Sequence, residues 1–320
     1  MKIGIIYDLK DDYTFDNTDV DDFTDLEEIT NLTNILVKLG HSVNLIHGTT
    51  YLLSNIEMIK NNNDILINMT EGYNSRNREG LVAAFLELNK IRYIGSDCYA
   101  GIVTLDKYLT KLIAKDLSIP TPDFALYLYE SQKFNNPLPT CKKLVLKPAF
   151  AGSSDGIQCV VNENVNMQSK IKNLANKYTQ NILVEEYIDG YDISISAYGN
   201  SKNGYDIIGA VITTDLNGNK LVIYDKKLKN SDKIKKSLPI WTNYRQNIIY
   251  NYCLSLAENL ALSGFFRFDF RINDTENYFL EINALPSLLQ NGSFIKAIDL
   301  NGKNKYDILQ RIIENENNDR

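Results

Sequence analysis

Four polar residues in the last third of the sequence are spaced so that they could form one metal and phosphate site. Arg267 and Asp269 share a face of a strand, where side chains alternate, and Glu281 and Asn283 share a face of a second strand. Residues 273–277 are rich in turn-forming types, which predicts a hairpin. Three oxygen ligands beside a guanidinium favour Mg²⁺ held together with substrate phosphates. The alternative is a surface hairpin with one solvated, charged face.

A second stretch has the composition of an anion-binding loop. The strand predicted at residues 144–147 ends in Lys147 and is followed by the small-residue stretch PAFAGSSDG, residues 148–156. Gly152 and Gly156 would let backbone N–H groups turn inward around an anion. The Gly-Lys-Ser/Thr sequence of a Walker A loop is absent. An ordinary hairpin turn is the alternative.

Residues 226–236 contain six lysines. A charge run of this kind is typical of a mobile, solvated loop, and such a loop could also close over phosphates.

The N-terminal third has the pattern of an α/β domain. Strands are predicted at residues 2–7, 42–46, 64–69 and 91–94, and helices at residues 25–39, 52–59 and 81–88. This alternation predicts a mostly parallel sheet, whose ligands lie beyond the carboxyl ends of the strands. Residues 8–25 and 70–80 leave such ends, and each is either a solvated loop or a loop that faces a ligand. In the second loop, Arg76 and Arg78 could hold a carboxylate by forked hydrogen bonds, next to Glu71.

The overall composition argues against several classes of protein. The chain has 320 residues and a net charge of −6, with acidic and basic residues interspersed, so nucleic-acid binding is not expected. No apolar run reaches the roughly 18 residues of a membrane helix, so no membrane contact is expected either. The two histidines and four cysteines show no metal-like spacing. We therefore expect a cytoplasmic protein without zinc or histidine-based catalysis.

Five segments, taken in order, resemble motifs of the ATP-grasp superfamily and, within it, of the D-alanine–D-alanine ligases. They read GSDCYAGIVTLDKYLTKLIAKDLSIPTPDF, LVLKPAFAGSSDGI, LVEEYIDGYDISI, RFDF and LEINALP. The resemblance implies an ATP-grasp fold, α/β in the N-terminal part and α+β in the C-terminal part. It places an N-terminal parallel-sheet domain at residues 1–96, a central ATP-grasp subdomain at 97–187, and a C-terminal subdomain with the metal site at 188–320.

The resemblance also implies the roles of individual residues. Lys107 and Lys147 would contact the α- and β-phosphates of ATP, and Asp192 would hold the ribose hydroxyls where the family usually has Glu. The remaining nucleotide contacts implied are Ser153, Ser154, Glu185, Tyr187 and Ile188. Asp269, Glu281 and Asn283 would bind two Mg²⁺ ions, for which Mn²⁺ can substitute. The implied catalytic groups are Arg267, Ser153 and Lys227.

The departures from the family concern the substrates. Residues 7–19 lack the family's Gly-Gly-x-Ser-x-Glu, whose glutamate holds the first substrate's ammonium. Glu71 stands where the family has histidine, and Lys227-Leu228 stands where it has Lys-Tyr. Near the serine that binds the second substrate's carboxylate, this chain has Ser287, Gly292 and Ser293.

These departures predict an ADP-forming ligase that acts on substrates other than two D-alanines. It would activate a carboxylate as an acyl phosphate and join it to an amine of an amino acid or small peptide, with a homodimer as the candidate assembly. A genuine D-alanine–D-alanine ligase is one alternative. An ATP-binding regulatory protein without turnover is another, against which the complete set of phosphate and metal residues argues.

Overall fold

The N-terminal part forms the parallel sheet that the sequence predicts. The computed structural model describes residues 1–9, 12, 23–73, 75–162, 164–229 and 231–317. The first four strands are β1 (Lys2–Tyr7), β2 (Ser42–His47), β3 (Ile65–Met69) and β4 (Tyr93–Ile94). They lie in the order β2-β1-β3-β4, and every neighbouring pair is parallel. The isoleucine-rich β1 and β3 are buried almost throughout, as strands covered on both faces require.

The helices of this part differ from the prediction in two places. They are α1 (Leu26–Lys38), α2 (Thr49–Ser54), α3 (Ile56–Asn62), α4 (Arg78–Leu88), α5 (Cys98–Leu105) and α6 (Lys107–Asp116). The single helix predicted at residues 52–59 is wrong, because Asn55 leaves helical geometry and separates α2 from α3. Helix α5 was not predicted, since it is apolar on most sides and shows no clear period. Asp97 and Asp106 cap α5 and α6 through their side chains.

The middle of the chain forms an antiparallel sheet with one helix. Its strands are β5 (Phe124–Leu128), β6 (Lys133–Phe134), β7 (Lys143–Pro148), β8 (Gln158–Val161) and β9 (Ile182–Glu186), in the order β6-β5-β9-β7-β8. Helix α7 (Asn164–Tyr178) packs on β7 and β9. Lys147 therefore lies on β7, and Glu185 lies on the neighbouring strand β9.

The last third forms a second antiparallel sheet. Its strands are β10 (Tyr191–Asn200), β11 (Gly204–Asp215), β12 (Ile234–Ser237), β13 (Gly264–Ile272) and β14 (Asn277–Asn283), in the order β12-β11-β10-β13-β14. Its helices are α8 (Lys226–Lys229), α9 (Asn243–Asn259), α10 (Ser293–Leu300) and α11 (Lys305–Asn317). The lysine run is thus not one continuous loop, because part of it is α8 and part is the edge strand β12.

The alternation in β13 separates a core face from a polar face. Phe266, Phe268 and Phe270 are fully buried and share an apolar core with Cys253 and Leu256 of α9. Each buried phenylalanine side chain contributes roughly 1.5–3 kcal/mol to folding. The opposite face, which carries Arg267 and Asp269, is thereby held toward the other sheet by the packing beneath it.

The C-terminal helices connect the last third to the N-terminal sheet. Apolar residues of β1 and β3 share one core with Phe294 of α10 and Ile312 of α11. Residues 188–320 therefore do not pack only among themselves. In the described part of the chain, no helix is long and apolar enough to cross a membrane.

Candidate active site

One large cavity, of about 620 Å³, gathers most of the residues that the sequence singled out. Both antiparallel sheets and the N-terminal part contribute to its wall. The singled-out residues that line it are Glu71, Lys107, Lys147, Ser153, Ser154, Glu185, Tyr187, Ile188, Asp192, Arg267, Asp269, Glu281, Asn283, Ser287 and Ser293. Three others, Arg76, Arg78 and Lys227, do not line the cavity wall.

The hairpin of β13 and β14 brings the proposed metal ligands together. Its register pairs Asp269 with Glu281 and Arg267 with Asn283. Asp269 is the common acceptor, because Arg267 Nη2 lies 2.7 Å from Oδ2, Asn283 Nδ2 lies 2.9 Å from Oδ2, and Ser194 Oγ lies 2.7 Å from Oδ1. The predicted hairpin is confirmed, and its polar face points into the cavity rather than into bulk solvent.

A buried carboxylate in the cavity wall pairs with two lysines. Glu185 is 1% exposed, and it pairs with Lys111 and with Lys147, whose Nζ lies 2.5 Å from Oε2. Burial alone would raise the pKa of Glu185, but the two ammonium groups outweigh it and lower that pKa. Burial also lowers the pKa of Lys111 to about 8, against the pull of Glu185. Since both lysines engage the Glu185 carboxylate, the adenine contact expected of this side chain would compete with them.

Lys111 was missed by the sequence reading, although a signal was present. It lies four residues after Lys107, so both lysines fall on the same side of α6. Lys111 Nζ also donates to Thr121 Oγ1 at 2.7 Å, which places its charge inside the protein. Lys107 reaches the cavity, where Nζ donates to the carbonyl of Ala151 and lies 3.8 Å from Glu281 Oε2.

The small-residue loop after β7 adopts a conformation suited to presenting backbone N–H groups. Ser153 and Ser154 both have positive φ, 50° and 59°, in the left-handed region that few residues other than glycine adopt. At Gly156, with φ 72°, an added Cβ would lie 2.7 Å from Pro148 Cγ, so a side chain does not fit there. Lys229 Nζ donates to Ser153 Oγ at 3.2 Å, and the lysine run thus touches this loop.

Asp192 on β10 is hydrogen-bonded to Arg271 on β13, the neighbouring strand of the sheet. Arg271 Nη1 donates to both carboxylate oxygens, at 3.0 and 3.2 Å. Burial raises the pKa of Asp192 to about 6, an increase that Arg271 opposes and Asp269 adds to. The residue expected to bind the ribose is therefore present in the wall of the cavity, but with a partner that the sequence reading did not assign.

An acid from the N-terminal part also faces the cavity. Glu28, in the first turn of α1, is 4% exposed; it accepts a hydrogen bond from the backbone N–H of Leu288 and lies 3.5 Å from Ser287 Oγ. Burial raises the pKa of Glu28 to about 7, although these hydrogen bonds lower it. The spacing of Asp25 and Glu28 is that of a helix capping box, which is the local signal that this glutamate carried. Most of residues 7–19, where the ammonium-binding glutamate was judged missing, lie outside the described residues.

A lysine of the edge strand β12 faces the cavity close to Ser293. Lys236 lines the cavity, and its Nζ donates to the carbonyl of Asn291, directly before Gly292 and Ser293. Burial, and then the positive charges of Arg267, Lys229 and Lys296, lower the pKa of Lys236 to about 8. Lys227, which the resemblance implied as a catalytic group, is exposed.

Neither arginine of the predicted clamp, Arg76 or Arg78, lines the cavity. Arg78 is 7% exposed and lies within the protein, where its guanidinium is 3.3 Å from Glu71 Oε2 and 3.3 Å from Glu79 Oε1. Its Nη1 also donates to the carbonyl of Glu71 at 2.8 Å. Asp8 fixes the same loop by accepting the N–H of Glu71 and of Gly72. Arg78 therefore stabilises the loop, and the prediction that it binds a substrate carboxylate finds no support in this geometry.

The chemistry of the donor set fits Mg²⁺ better than a metal that prefers sulfur or imidazole ligands. Asp269, Glu281 and Asn283 offer only oxygen ligands, which hard cations prefer. Among the described residues, no three His, Cys, Asp or Glu side chains form a group that could hold a metal ion. With two carboxylates and one amide, this set leaves coordination positions for phosphate oxygens and water.

Comparison with known proteins agrees with this arrangement. The family model for the D-ala D-ala ligase C-terminus matches residues 113–314. D-alanine–D-alanine ligase from Coprothermobacter proteolyticus is 27% identical over 241 residues, 74% of this chain and 77% of that protein. The same enzyme from Aquifex aeolicus is 29% identical over 217 residues, 66% and 69% of the two chains. An uncharacterized protein of Sinorhizobium fredii, y4sG, is 24% identical over 289 residues, 87% and 84% of the two chains.

Solved structures show the same fold over the whole chain. D-alanine–D-alanine ligase from Bacillus anthracis superimposes with a TM-score of 0.74 at 21% identity, covering 99% of this chain and 97% of that one. Its complex with ATP gives a TM-score of 0.72 at 19% identity over the same coverage. The fold and the site thus define an ATP-grasp ligase, an ATP-binding enzyme that forms a C–N bond. Within that class, the chain belongs to the D-ala D-ala ligase family.

Proposed function

We propose that this enzyme is an Mg²⁺-dependent, ADP-forming ligase that joins the carboxylate of one small molecule to the amine of another. The observation that carries the proposal is the meeting of Arg267, Asp269 and Glu281 with Lys107 and Lys147 across one cavity. Arginine and lysine side chains neutralise the charge on a transferring phosphoryl group. Catalysis of phosphoryl transfer by a protein consists mainly of this neutralisation and of positioning the reactants.

The cavity has two ends with different roles in this proposal. The nucleotide end is formed by Lys107, Lys147, Ser153, Glu185 and Asp192. There the lysines bind phosphate oxygens, and the backbone near Tyr187 and Ile188 binds adenine. Asp269, Glu281 and Asn283 would hold Mg²⁺, which polarises the phosphates when it is bound.

The acceptor end is formed by Glu28, Lys236, Ser287, Asn291 and Ser293. The amine substrate binds here in the proposal, with its carboxylate at Ser293, where α10 begins without a side-chain cap, and near Lys236. Arg267 lies between the two ends and stabilises the charge that develops when the amine attacks the acyl phosphate. Ser153 assists at the phosphates. Lys227, exposed as it is, is not assigned a role.

We further propose that the substrates are not two D-alanines. The support comes from two differences: in the lysine run Leu228 follows Lys227 in place of a tyrosine, and at the acceptor end the cation is Lys236. A site that hydrogen-bonds a substrate loses strongly when a buried polar partner is changed. The enzyme would then accept other amino acids or small peptides.

A genuine D-alanine–D-alanine ligase is the second candidate. Two observations favour it: the names of the curated relatives, and Glu28, which supplies a carboxylate to the acceptor end despite the altered early loop. A carboxylate of this kind can hold a substrate ammonium.

The test is ADP release screened over pairs of amino acids, dipeptides and non-proteinogenic acids, with mass spectrometry of the products. We expect Mg²⁺-dependent formation of ADP and phosphate, with one carboxylate oxygen of the first substrate transferred to phosphate when that carboxylate carries ¹⁸O. Formation of AMP and pyrophosphate, or a product whose phosphate never carries the label, would contradict the acyl-phosphate route.

A further inference from the structure

Arg271 connects three parts of the nucleotide end. Its side chain is buried, and Nη1 donates to both oxygens of Asp192. Nη2 donates to the carbonyl oxygens of Leu221 at 2.5 Å and Val222 at 3.1 Å. The guanidinium carbon lies 5.3 Å from the centre of the Tyr187 ring, within the range of a cation–π contact. One side chain thus contacts Asp192, the ring of Tyr187 directly after β9, and the segment that follows β11.

That segment, residues 216–225, contributes a wall of the cavity. Val222, Ile223 and Tyr224 line it, so the segment covers the side of the cavity where the nucleotide is proposed to bind. Lys220 also pairs with Asp189, but the two side chains are 46% and 62% exposed. An exposed pair contributes little, because solvent screens it. The buried contacts of Arg271 are therefore the stronger attachment.

Strand register explains why Arg271 and Asp192 meet. Asp192 of β10 lies directly opposite Arg271 of β13, and both side chains are on the cavity face. Each oxygen of Asp192 accepts from Arg271 and still has a second lone pair. The carboxylate can therefore bind a ribose hydroxyl without releasing the guanidinium.

We propose that Arg271 is a positioning residue that links segment 216–225 to the 2′-hydroxyl of the ribose, so that the enzyme orders this segment for ribonucleotides and not for 2′-deoxyribonucleotides. The inference rests on the proposed placement of the ribose at Asp192. A hydroxyl on Asp192 restrains the carboxylate, the carboxylate restrains the guanidinium, and the guanidinium restrains the carbonyls of Leu221 and Val222. A merely structural Arg271 would neutralise Asp192 equally with either nucleotide.

The experiment compares ATP with 2′-deoxy-ATP on the full-length chain in the presence of Mg²⁺. Dissociation constants are measured by calorimetry, and the order of the segment is measured by the rate of tryptic cleavage after Lys220, the one trypsin site within residues 216–225. The variants are Arg271→Met, which removes the charge, and Arg271→Lys, which keeps the charge but removes the several N–H donors of the guanidinium group. Arg245→Met is the matched control, because Arg245 donates to the carbonyl of Asn273, and it does not line the cavity.

The wild-type chain and Arg245→Met should bind ATP about tenfold or more tightly than 2′-deoxy-ATP, the expected effect of one hydrogen bond to a charged group. ATP should slow cleavage of the segment, and 2′-deoxy-ATP should not. In Arg271→Met both differences should disappear, and Arg271→Lys should fall between.

Two results would overturn the inference. One is equal protection of the wild-type segment by both nucleotides. This result is measured on the wild-type chain, so it can be obtained even if Arg271→Met does not fold. The other is an Arg271→Met chain that keeps the wild-type ratio of dissociation constants. Absence of any ATP binding to the wild-type chain is a different outcome, since it overturns the nucleotide site itself and the proposed function with it.

Discussion

The two ends of the cavity are constructed differently. At the nucleotide end, charged side chains come from strands and helix starts and are paired with one another inside the protein, as Glu185 is with Lys111 and Lys147. At the acceptor end, Glu28 comes from the start of a helix and Lys236 from an edge strand, and both contact backbone groups of the loop before α10, Glu28 at Leu288 and Lys236 at Asn291. Pairs between strands are fixed by register, whereas contacts to loop backbones change when the loop changes. A change of loop at the acceptor end would therefore leave the nucleotide end intact.

The largest effect should come from the metal ligands. Asp269→Asn removes a negative charge from the set that would hold Mg²⁺ against the phosphates, so ADP release should fall about a thousandfold or more. The amide keeps the size of the carboxylate but leaves Arg267 without its ion-pair partner, so some stability should be lost, and activity is compared at a temperature at which both proteins are folded. Asp274→Asn, in the exposed turn of the same hairpin, is the control and should retain full activity. Near-normal turnover of Asp269→Asn at saturating Mg²⁺ would refute the assignment.

The interior pairs of the nucleotide end should dominate stability. Lys111→Met leaves the fully buried Glu185 with one cation instead of two, and breaking a buried pair in this way typically costs about 3–5 kcal/mol. Lys115→Met, on the same helix, removes an exposed partner of Asp123 and should cost less than about 1 kcal/mol. Urea unfolding of both variants measures the difference. Equal free energies of unfolding would mean that the Lys111 pair contributes nothing to stability.

Glu28 makes the acceptor end sensitive to pH. Its folded-state pKa of about 7 lies above the ordinary value of 4.5, so the folded chain binds this proton more tightly than the unfolded chain does. Its contribution to stability is therefore present below about pH 4.5 and is lost as the pH rises to about 7. That shift corresponds to about 3 kcal/mol.

The variant Glu28→Gln removes this titration and keeps a hydrogen-bond acceptor. Between pH 4 and pH 8, its free energy of unfolding should fall by about 3 kcal/mol less than that of the wild type, as measured by urea denaturation at each pH. Parallel pH curves for the two proteins would show that Glu28 titrates normally.

The smallest effect should come from the edge strand. Lys236 is charged below its pKa of about 8 and neutral above it. The KM of an amine substrate that carries a carboxylate should therefore rise as the pH passes from 7 to 9. Lys236→Gln should raise that KM about tenfold at pH 7 and remove the dependence. Lys235→Gln is the matched control, since Lys235 is exposed on the opposite face of β12. A KM that responds equally to both substitutions would exclude a specific role for Lys236.

The sequence predicted the nucleotide end better than the acceptor end, for a physical reason. The apolar runs of β1 and β3 and the alternation in β13 are local patterns that determine which side faces the core. Once the core face of β13 is known, Arg267 and Asp269 must share the other face. Lys147 followed from the composition of its own strand and loop, whereas Glu185 came only from the resemblance, and its pairing with Lys111 and Lys147 was not predicted.

The residues that the sequence reading misplaced depend on contacts between distant segments. Lys236 belongs to a strand only because it pairs with Thr213 of β11, and nothing within the lysine run shows this. Arg78 is the exception, because its partners Glu71 and Glu79 lie in its own region of the chain. Glu28 carried only a helix-capping signal, because its contact with Leu288 spans most of the chain.

The most direct test of the contrast between the two ends is ADP release with D-alanine as the sole amino acid, measured beside the same panel of L-amino acids, dipeptides and non-proteinogenic acids. A retained nucleotide end and an altered acceptor end predict Mg²⁺-dependent turnover with at least one pair in the panel and little or none with D-alanine alone. Robust turnover with D-alanine alone, yielding the dipeptide, would contradict the altered acceptor end and establish the second candidate.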